Sequence, residues 1–186
     1  IASETHELSC LLTINSSNPD SWMFHTPAIE WTKLQSQSLK IPQIIQDTKG
    51  VQDKELDDLF ELIKKGKNQY FIEGVVTGAL PSTYQSTRIQ KICNDLDLWC
   101  FNPLWQMSQE TLLEELLENN IKSIITGVAA EPFDNEWLGR EINLECIKDL
   151  IKLKASHRIN PAGEGGEIES FVINAPLFNS RLEIFQ

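Results

Sequence analysis

Three glycines and three carboxylates share one short stretch of this chain: Gly163, Glu164, Gly165, Gly166, Glu167, Ile168 and Glu169, followed by Ser170. Glycine lets a backbone come close to a ligand. Carboxylates crowded this tightly repel one another unless a cation, solvent or hydrogen-bond donors relieve the charge. The loop therefore suggests a cation site for Glu164, Glu167 and Glu169, with a solvated acidic turn as the simpler alternative. Its composition does not name the cation. Its charge argues against phosphates resting directly on it, so a nucleotide would sit elsewhere, with Mg²⁺ between.

Open α/β sheets bind ligands beyond the carboxyl ends of their strands, which makes the strand-to-helix junctions the next places for chemistry. Residues 75–82 read Val-Val-Thr-Gly-Ala-Leu-Pro-Ser. Gly78 can open the backbone to a ligand, or only serve a tight turn. Pro81 and Ser82 predict the first turn of a helix whose unpaired N–H groups favour an anion. Ser82, Gln85 and Arg88 follow at intervals of three and share a helix face, with Tyr84 nearby. The junction at 21–27 carries Met23, Phe24 and His25, which suit stacking or hydrogen bonding to a base, or simply a place in the core. After a third strand comes Trp105, which can cap the core.

The elements that must position these residues are legible from periodicity. Buried strands are expected at 6–14 and 70–76, with shorter apolar runs at 44–45 and 98–101. Amphipathic helices are expected at 28–39, 53–65, 82–96, 108–119 and 144–155, the fourth with Ser108 as N-cap. A strand at 121–128 and a last one at 169–173 flank the final helix. Strands alternating with helices at this spacing predict an α/β fold of parallel units with helices on both faces.

At 186 residues the chain suits one domain, or one with an appendage. Its 16 Lys and Arg against 27 Asp and Glu give a net charge of −11, which argues against binding nucleic acid through the phosphate backbone. No apolar run approaches the roughly 18 residues of a membrane helix, so no membrane partner is expected. Residues 1–9 lack the basic and apolar regions of a signal peptide. Cys10, Cys93, Cys100 and Cys146 form no Cys-x-x-Cys pair, and three histidines complete no metal finger, so reduced, mostly buried thiols and a cytoplasmic location are expected.

Several runs together resemble the diphthine–ammonia ligase family. They are Glu73-Gly74-Val75-Val76-Thr77-Gly78-Ala79-Leu80 with Tyr84, Gln85 and Arg88; Pro103-Leu104-Trp105; Trp137-Leu138-Gly139-Arg140; Gly163 to Ser170; and Ala175-Pro176-Leu177-Phe178. They stand in the family's order and span the chain from Met23 onward. The resemblance implies a Rossmann-like fold of the adenine-nucleotide α-hydrolase type, related to N-type ATP pyrophosphatases. Residues 1–101 would form the nucleotide-binding α/β region and 102–186 a C-terminal substrate region. ATP with Mg²⁺ would activate the carboxylate of diphthine, a modified histidine of translation elongation factor 2, as an acyl-adenylate that ammonia converts to the amide.

By the same resemblance, Met23, Phe24, His25, Gly78 and Ala79 lie beside the nucleotide, and Ser82, Tyr84, Gln85 and Arg88 face the cleft. Glu164, Glu167 and Glu169 with Gly165 and Gly166 form the acidic signature. Those carboxylates, with Trp105 as a cation–π face, suit the quaternary ammonium of diphthine and the ammonium co-substrate. Arg88 or Arg140 would meet phosphate or carboxylate charge. A homodimer is compatible with this reading. The family's Ser-Gly-Gly-Lys-Asp-Ser phosphate loop does not occur in the sequence, so its first β-α unit is expected to lie outside it, residues 1–5 reading as the tail of the missing helix. Two alternatives remain open: an N-type ATP pyrophosphatase acting on another acceptor, and a non-catalytic protein-binding module.

Overall fold

The structure, a computed structural model, describes residues 6–184 apart from 19–20, 22, 25, 52–53 and 81–82. The chain divides into two compact units, Ile1–Gln106 and Met107–Gln186. The α/β class is as expected, but the strands pair two by two: β1 (Leu11–Ser16) with β2 (Gln43–Thr48), β3 (Gly74–Val76) with β4 (Trp99–Phe101), and β5 (Lys122–Val128) with β6 (Ile168–Asn174).

In the first unit both pairs are parallel. Helices α2 (Lys54–Tyr70) and α3 (Thr83–Asp95) lie on one face of them. Leu59, Leu62, Ile63, Ile92 and Cys93 from these helices share a core with Ile14, Met23 and Leu98, while Leu12, Ile44, Val75 and Cys100 pack against it from the strands. Helix α1 (Thr32–Leu39) belongs to the opposite face, where the Gln43 amide donates to Thr13 Oγ1 at 2.8 Å and to Thr32 Oγ1 at 3.0 Å.

Two boundaries differ from expectation for physical reasons. The strand expected at 6–14 runs instead from Leu11 to Ser16, because its length is set by its partner: Leu11 N–H donates to Pro42 O, and pairing continues to Ser16 opposite Thr48. Its polar end is held by a cross-strand amide–carboxylate bond, Asn15 to Asp47, at 2.8 Å. Helix α2 runs five residues past its expected end at Lys65 and takes in Tyr70, which the sequence reads as the start of a strand. Gly66, which looks like a breaker, continues the buried stripe of Leu59, Leu62 and Ile63. A Cβ there would come within 3.2 Å of Leu12, so the glycine lets the helix settle closely on β1.

Burial pushes the Cys93 thiol up to about 12, with the neighbouring Cys100 adding to the shift. A thiol whose pKa is raised by folding holds its proton where the unfolded thiol loses it, so its contribution is intact below about pH 9 and declines as pH rises toward 12. The urea midpoint should fall over that range more steeply in the wild type than in Cys93→Ala. Native Cys93 should also resist alkylation at pH 8.5. All four cysteines are free thiols.

The second unit departs from the expected parallel pattern, since β5 and β6 are antiparallel. Helix α5 (Leu144–His157) ends at Arg158, whose φ of 58° turns the chain, and the loop that follows reaches the end of β5, where Ala129 N–H donates to Glu167 O at 3.0 Å. Strand β6 begins opposite Val128 and has to run back along β5. Leu113 of α4 (Gln109–Glu118), Ile125 of β5, Cys146, Ile147 and Leu150 of α5, and Ile168 of β6 form the core with Ile142 and Ile159. Ser108 caps α4 as expected, its hydroxyl accepting from Thr111 N–H at 3.1 Å. Among the described residues, no helix is long and apolar enough to cross a membrane.

Candidate functional site

In the first unit, the carboxyl ends of the strands carry a dense polar network. Past β1, Asn18 donates through its amide to Gly50 O at 2.9 Å, and the Asn18 N–H is held by Ser16 Oγ at 3.2 Å. Ser21 donates to Glu55 Oε2 at 2.9 Å, and its hydroxyl accepts from the backbone N–H of Met23 and Phe24. Glu55 is buried at the start of α2, so a carboxylate near the positive end of a helix sets the path of the 21–24 segment. The Met23 side chain lies in the core, with Phe24 half-buried against it. His25 lies outside the described residues.

Past β3, the Thr77 hydroxyl bonds to the Asn102 side chain beyond β4 and accepts from Ala79 N–H at 3.3 Å. This ties the two strand ends together and fixes the turn carrying Gly78. A Cβ on Gly78 would meet nothing within 4 Å, so the backbone there faces open space, while Ala79 is buried. Ser82 lies outside the described residues. Tyr84, Gln85 and Arg88 are half-buried on α3.

The Arg88 guanidinium stacks on the Tyr84 ring at 3.4 Å and donates to Tyr84 O at 3.2 Å, while its Nε is buried without a hydrogen-bond partner among the described residues. A cationic side chain with an unused N–H, on the helix that follows the Gly78 turn, fits an anionic ligand such as a nucleotide phosphate. Trp105 stands at the end of this unit in a turn closed by its own N–H to Asn102 O at 3.1 Å, and is about a third exposed, at 37%.

In the second unit the acidic loop is ordered by its own carboxylate. Glu167 Oε1 accepts from the backbone N–H of Asn160 at 2.9 Å and from its side-chain amide at 2.8 Å, while Oε2 accepts from Gly165 N–H at 2.9 Å. Glu164, Gly165 and Gly166 are exposed, and Glu167 and Glu169 are half-buried. Donors within the loop thus relieve part of the charge that the sequence assigns to a cation. Among the described residues no three His, Cys, Asp or Glu side chains gather as a metal site.

Arg140 is committed within this unit. It donates to Asp149 Oδ2 at 2.6 Å and stacks over Trp137 at 4.6 Å, and that hydrogen bond holds the Asp149 carboxyl below its usual range. Two residues that sequence reading passes over complete the loop. Gln109 Nε2 donates to Asn160 Oδ1 at 3.0 Å, and Gln109 Oε1 accepts from Ala162 N–H at 2.9 Å. A polar residue just inside a capped helix is the only local signal for Gln109. Its partners lie some fifty residues away.

Known proteins add to this geometry. The family model for the diphthamide synthase N-terminal domain matches residues 1–99, and that for the diphthamide synthase C-terminal domain matches residues 108–186. The diphthine–ammonia ligase of Mus musculus is 33% identical over 183 residues, covering 92% of this chain and 68% of that protein. The Homo sapiens protein of the same name is 33% identical over 181 residues, covering 91% and 67%. That of Schizosaccharomyces pombe is 36% identical over 137 residues, 73% of this chain and 22% of that protein. With both halves matched in order, and relatives of one description aligned along nearly its whole length, the chain belongs to the diphthamide synthase family.

Proposed function

We propose that this chain is the working part of a ligase that forms a C–N bond, amidating the diphthine carboxylate of translation elongation factor 2 with ammonia at the expense of ATP. The observations that carry the proposal are the turn past β3, where Gly78 leaves the backbone open, and Arg88 on the helix that follows, whose buried Nε has no hydrogen-bond partner among the described residues. Gly78, Ala79 and the 23–25 segment would hold the nucleotide, and Arg88, positioned by Tyr84, would meet its phosphate charge. Mg²⁺ would travel with the phosphates rather than in a protein cage, as is usual for this ion.

A carboxylate is a poor acyl donor, and ATP supplies its leaving group. A diphthine carboxylate oxygen attacks the α-phosphorus of ATP, and the bond to pyrophosphate breaks. Ammonia, formed when ammonium gives up a proton to solvent, then attacks the acyl carbon; AMP departs with the C–O bonding electrons, and the nitrogen loses a second proton to solvent as the amide forms. The loop containing Glu164, Glu167 and Glu169 would attract the two cations, the quaternary ammonium of diphthine and ammonium itself.

The finer reading of the fold, a Rossmann-like sheet, also belongs to this proposal. Among the described residues, strands β1 and β3 each pair on one side only, both in parallel pairs, and an open groove of about 1200 Å³ is lined by Leu11, Thr13, Val75 and Trp99. On β3 and β4 the side chains of Val76, Trp99 and Phe101 are exposed, although parallel sheets are normally covered on both faces. One parallel strand between β1 and β3 would join the pairs. A right-handed connection from it to β1 would lay its helix on the face opposite α2 and α3, the face to which α1 belongs. This is where a strand, phosphate loop and helix would fit.

The test is an assay of the full-length protein with ATP, ammonium and diphthine-bearing factor. AMP and factor amide should form one to one. AMP without amide would point to another acceptor, and no nucleotide turnover would point to a binding module; either result overturns the proposal.

A further inference from the structure

The acidic loop reads in sequence as three equivalent carboxylates, but the structure gives Glu167 distinct surroundings. Both its oxygens are turned onto the loop, taking the Asn160 N–H and side-chain amide on one side and Gly165 N–H on the other. Gly165 makes this approach feasible. A Cβ there would stand 2.7 Å from Glu167 Oε1, from Oε2 and from Asn160 Nδ2. The same Asn160 accepts from Gln109, which in turn accepts from Ala162 N–H. Gln109 is itself fixed as the first residue of a helix capped by Ser108. A continuous chain of hydrogen bonds therefore runs from the start of α4 through Asn160 to the carboxylate of Glu167, gripping the loop at 160, 162 and 165.

We infer that Gln109, Asn160 and Glu167 form a clamp that sets the shape of the acidic loop, and that they are positioning residues for that loop's part in amidation. The inference rests on the proposed ligase function for its kinetic consequence, while the clamp itself is a statement about the loop. Gln109 is the sharper probe because it is only half-buried and removing it deletes two hydrogen bonds without touching a carboxylate. In Glu167→Gln an amide group would oppose the Gly165 N–H or the Asn160 donors, placing donor against donor.

The experiment compares wild type, Gln109→Ala, Glu167→Gln and Glu164→Gln in the full-length protein by two readouts. Amide hydrogen exchange at Ala162 and Gly165 should be about tenfold faster in Gln109→Ala and Glu167→Gln but unchanged in Glu164→Gln, in keeping with the loss of supporting hydrogen bonds around a site. In amidation, kcat/KM for ammonium should fall about tenfold in Gln109→Ala while the KM for ATP stays at the wild-type value. Unchanged exchange in Gln109→Ala would overturn the clamp. Faster exchange with unchanged kinetics would overturn the positioning role. If wild type itself forms no amide, the ligase reading fails and the kinetic role falls with it, while exchange still decides whether the clamp exists. Should Glu167→Gln not fold, Gln109→Ala alone decides the question.

Discussion

Replacing Leu150 by alanine is expected to destabilise the second unit by about 2–5 kcal/mol, the range for removing a large aliphatic side chain from a close-packed core. Leu150 is fully buried and shares its core with Ile125, Ile147, Ile159 and Ile168. Two of these bound the acidic loop: Ile159 precedes Asn160 and Ile168 follows Glu167. A cavity at Leu150 would therefore slacken both anchors of the acidic segment, not only helix α5. Urea unfolding followed by tryptophan fluorescence should show a lower midpoint, and limited proteolysis should cut the 107–186 unit well before the wild type is cut. The core of the first unit contains none of these residues, so exchange protection around Leu62 and Ile63 should be retained. Equal loss of protection in both units would show that the two cores do not unfold separately.

How far the sequence reveals this molecule depends on the range of the interaction that fixes each feature. Helices α2, α4 and α5 are legible because their apolar stripes and caps are local, Ser108 being the clearest case. The end of α2 is not, because a glycine that breaks helices on average serves here as a contact surface for Leu12. The direction of β6 was hidden too, since helix-strand alternation predicts a parallel neighbour. The bond from Ala129 N–H to Glu167 O, which helps start β6 at the end of β5, joins residues distant in sequence.

The candidate site divides in the same way. Gly78, Arg88 and the glutamates stand out by type and spacing. What Arg88 does with Tyr84, what Arg140 does with Asp149, and the support that Gln109 gives the loop are products of folding. Charge counting in particular sees the repulsion among Glu164, Glu167 and Glu169 but not the backbone donors that relieve it.

Gly163→Ala should be the most damaging single change in the acidic loop, and Gly166→Ala is its natural control. Both glycines have the left-handed backbone, with φ of 82° and 78° respectively, so each alanine carries a conformational penalty of roughly 1–2 kcal/mol. Their surroundings differ. At Gly166 a Cβ would meet nothing within 4 Å, whereas at Gly163 it would lie 2.4 Å from the Ile168 carbonyl oxygen and 3.0 Å from Ile168 Cγ1. The Ile168 backbone cannot yield easily, because that residue opens β6 in register with Val128. The loop must shift instead, straining the bonds from Gly163 N–H to Asn160 O at 2.9 Å and from Gly166 N–H to Gly163 O at 2.8 Å. A displacement of about 1 Å in a positioning element can cost on the order of 100-fold in rate, so kcat/KM for amidation should fall by about that factor in Gly163→Ala and far less in Gly166→Ala. Thermal unfolding measured alongside should rank the variants in the same order. Equal behaviour of the two would mean that backbone conformation alone, and not the approach of Gly163 to Ile168, governs the loop.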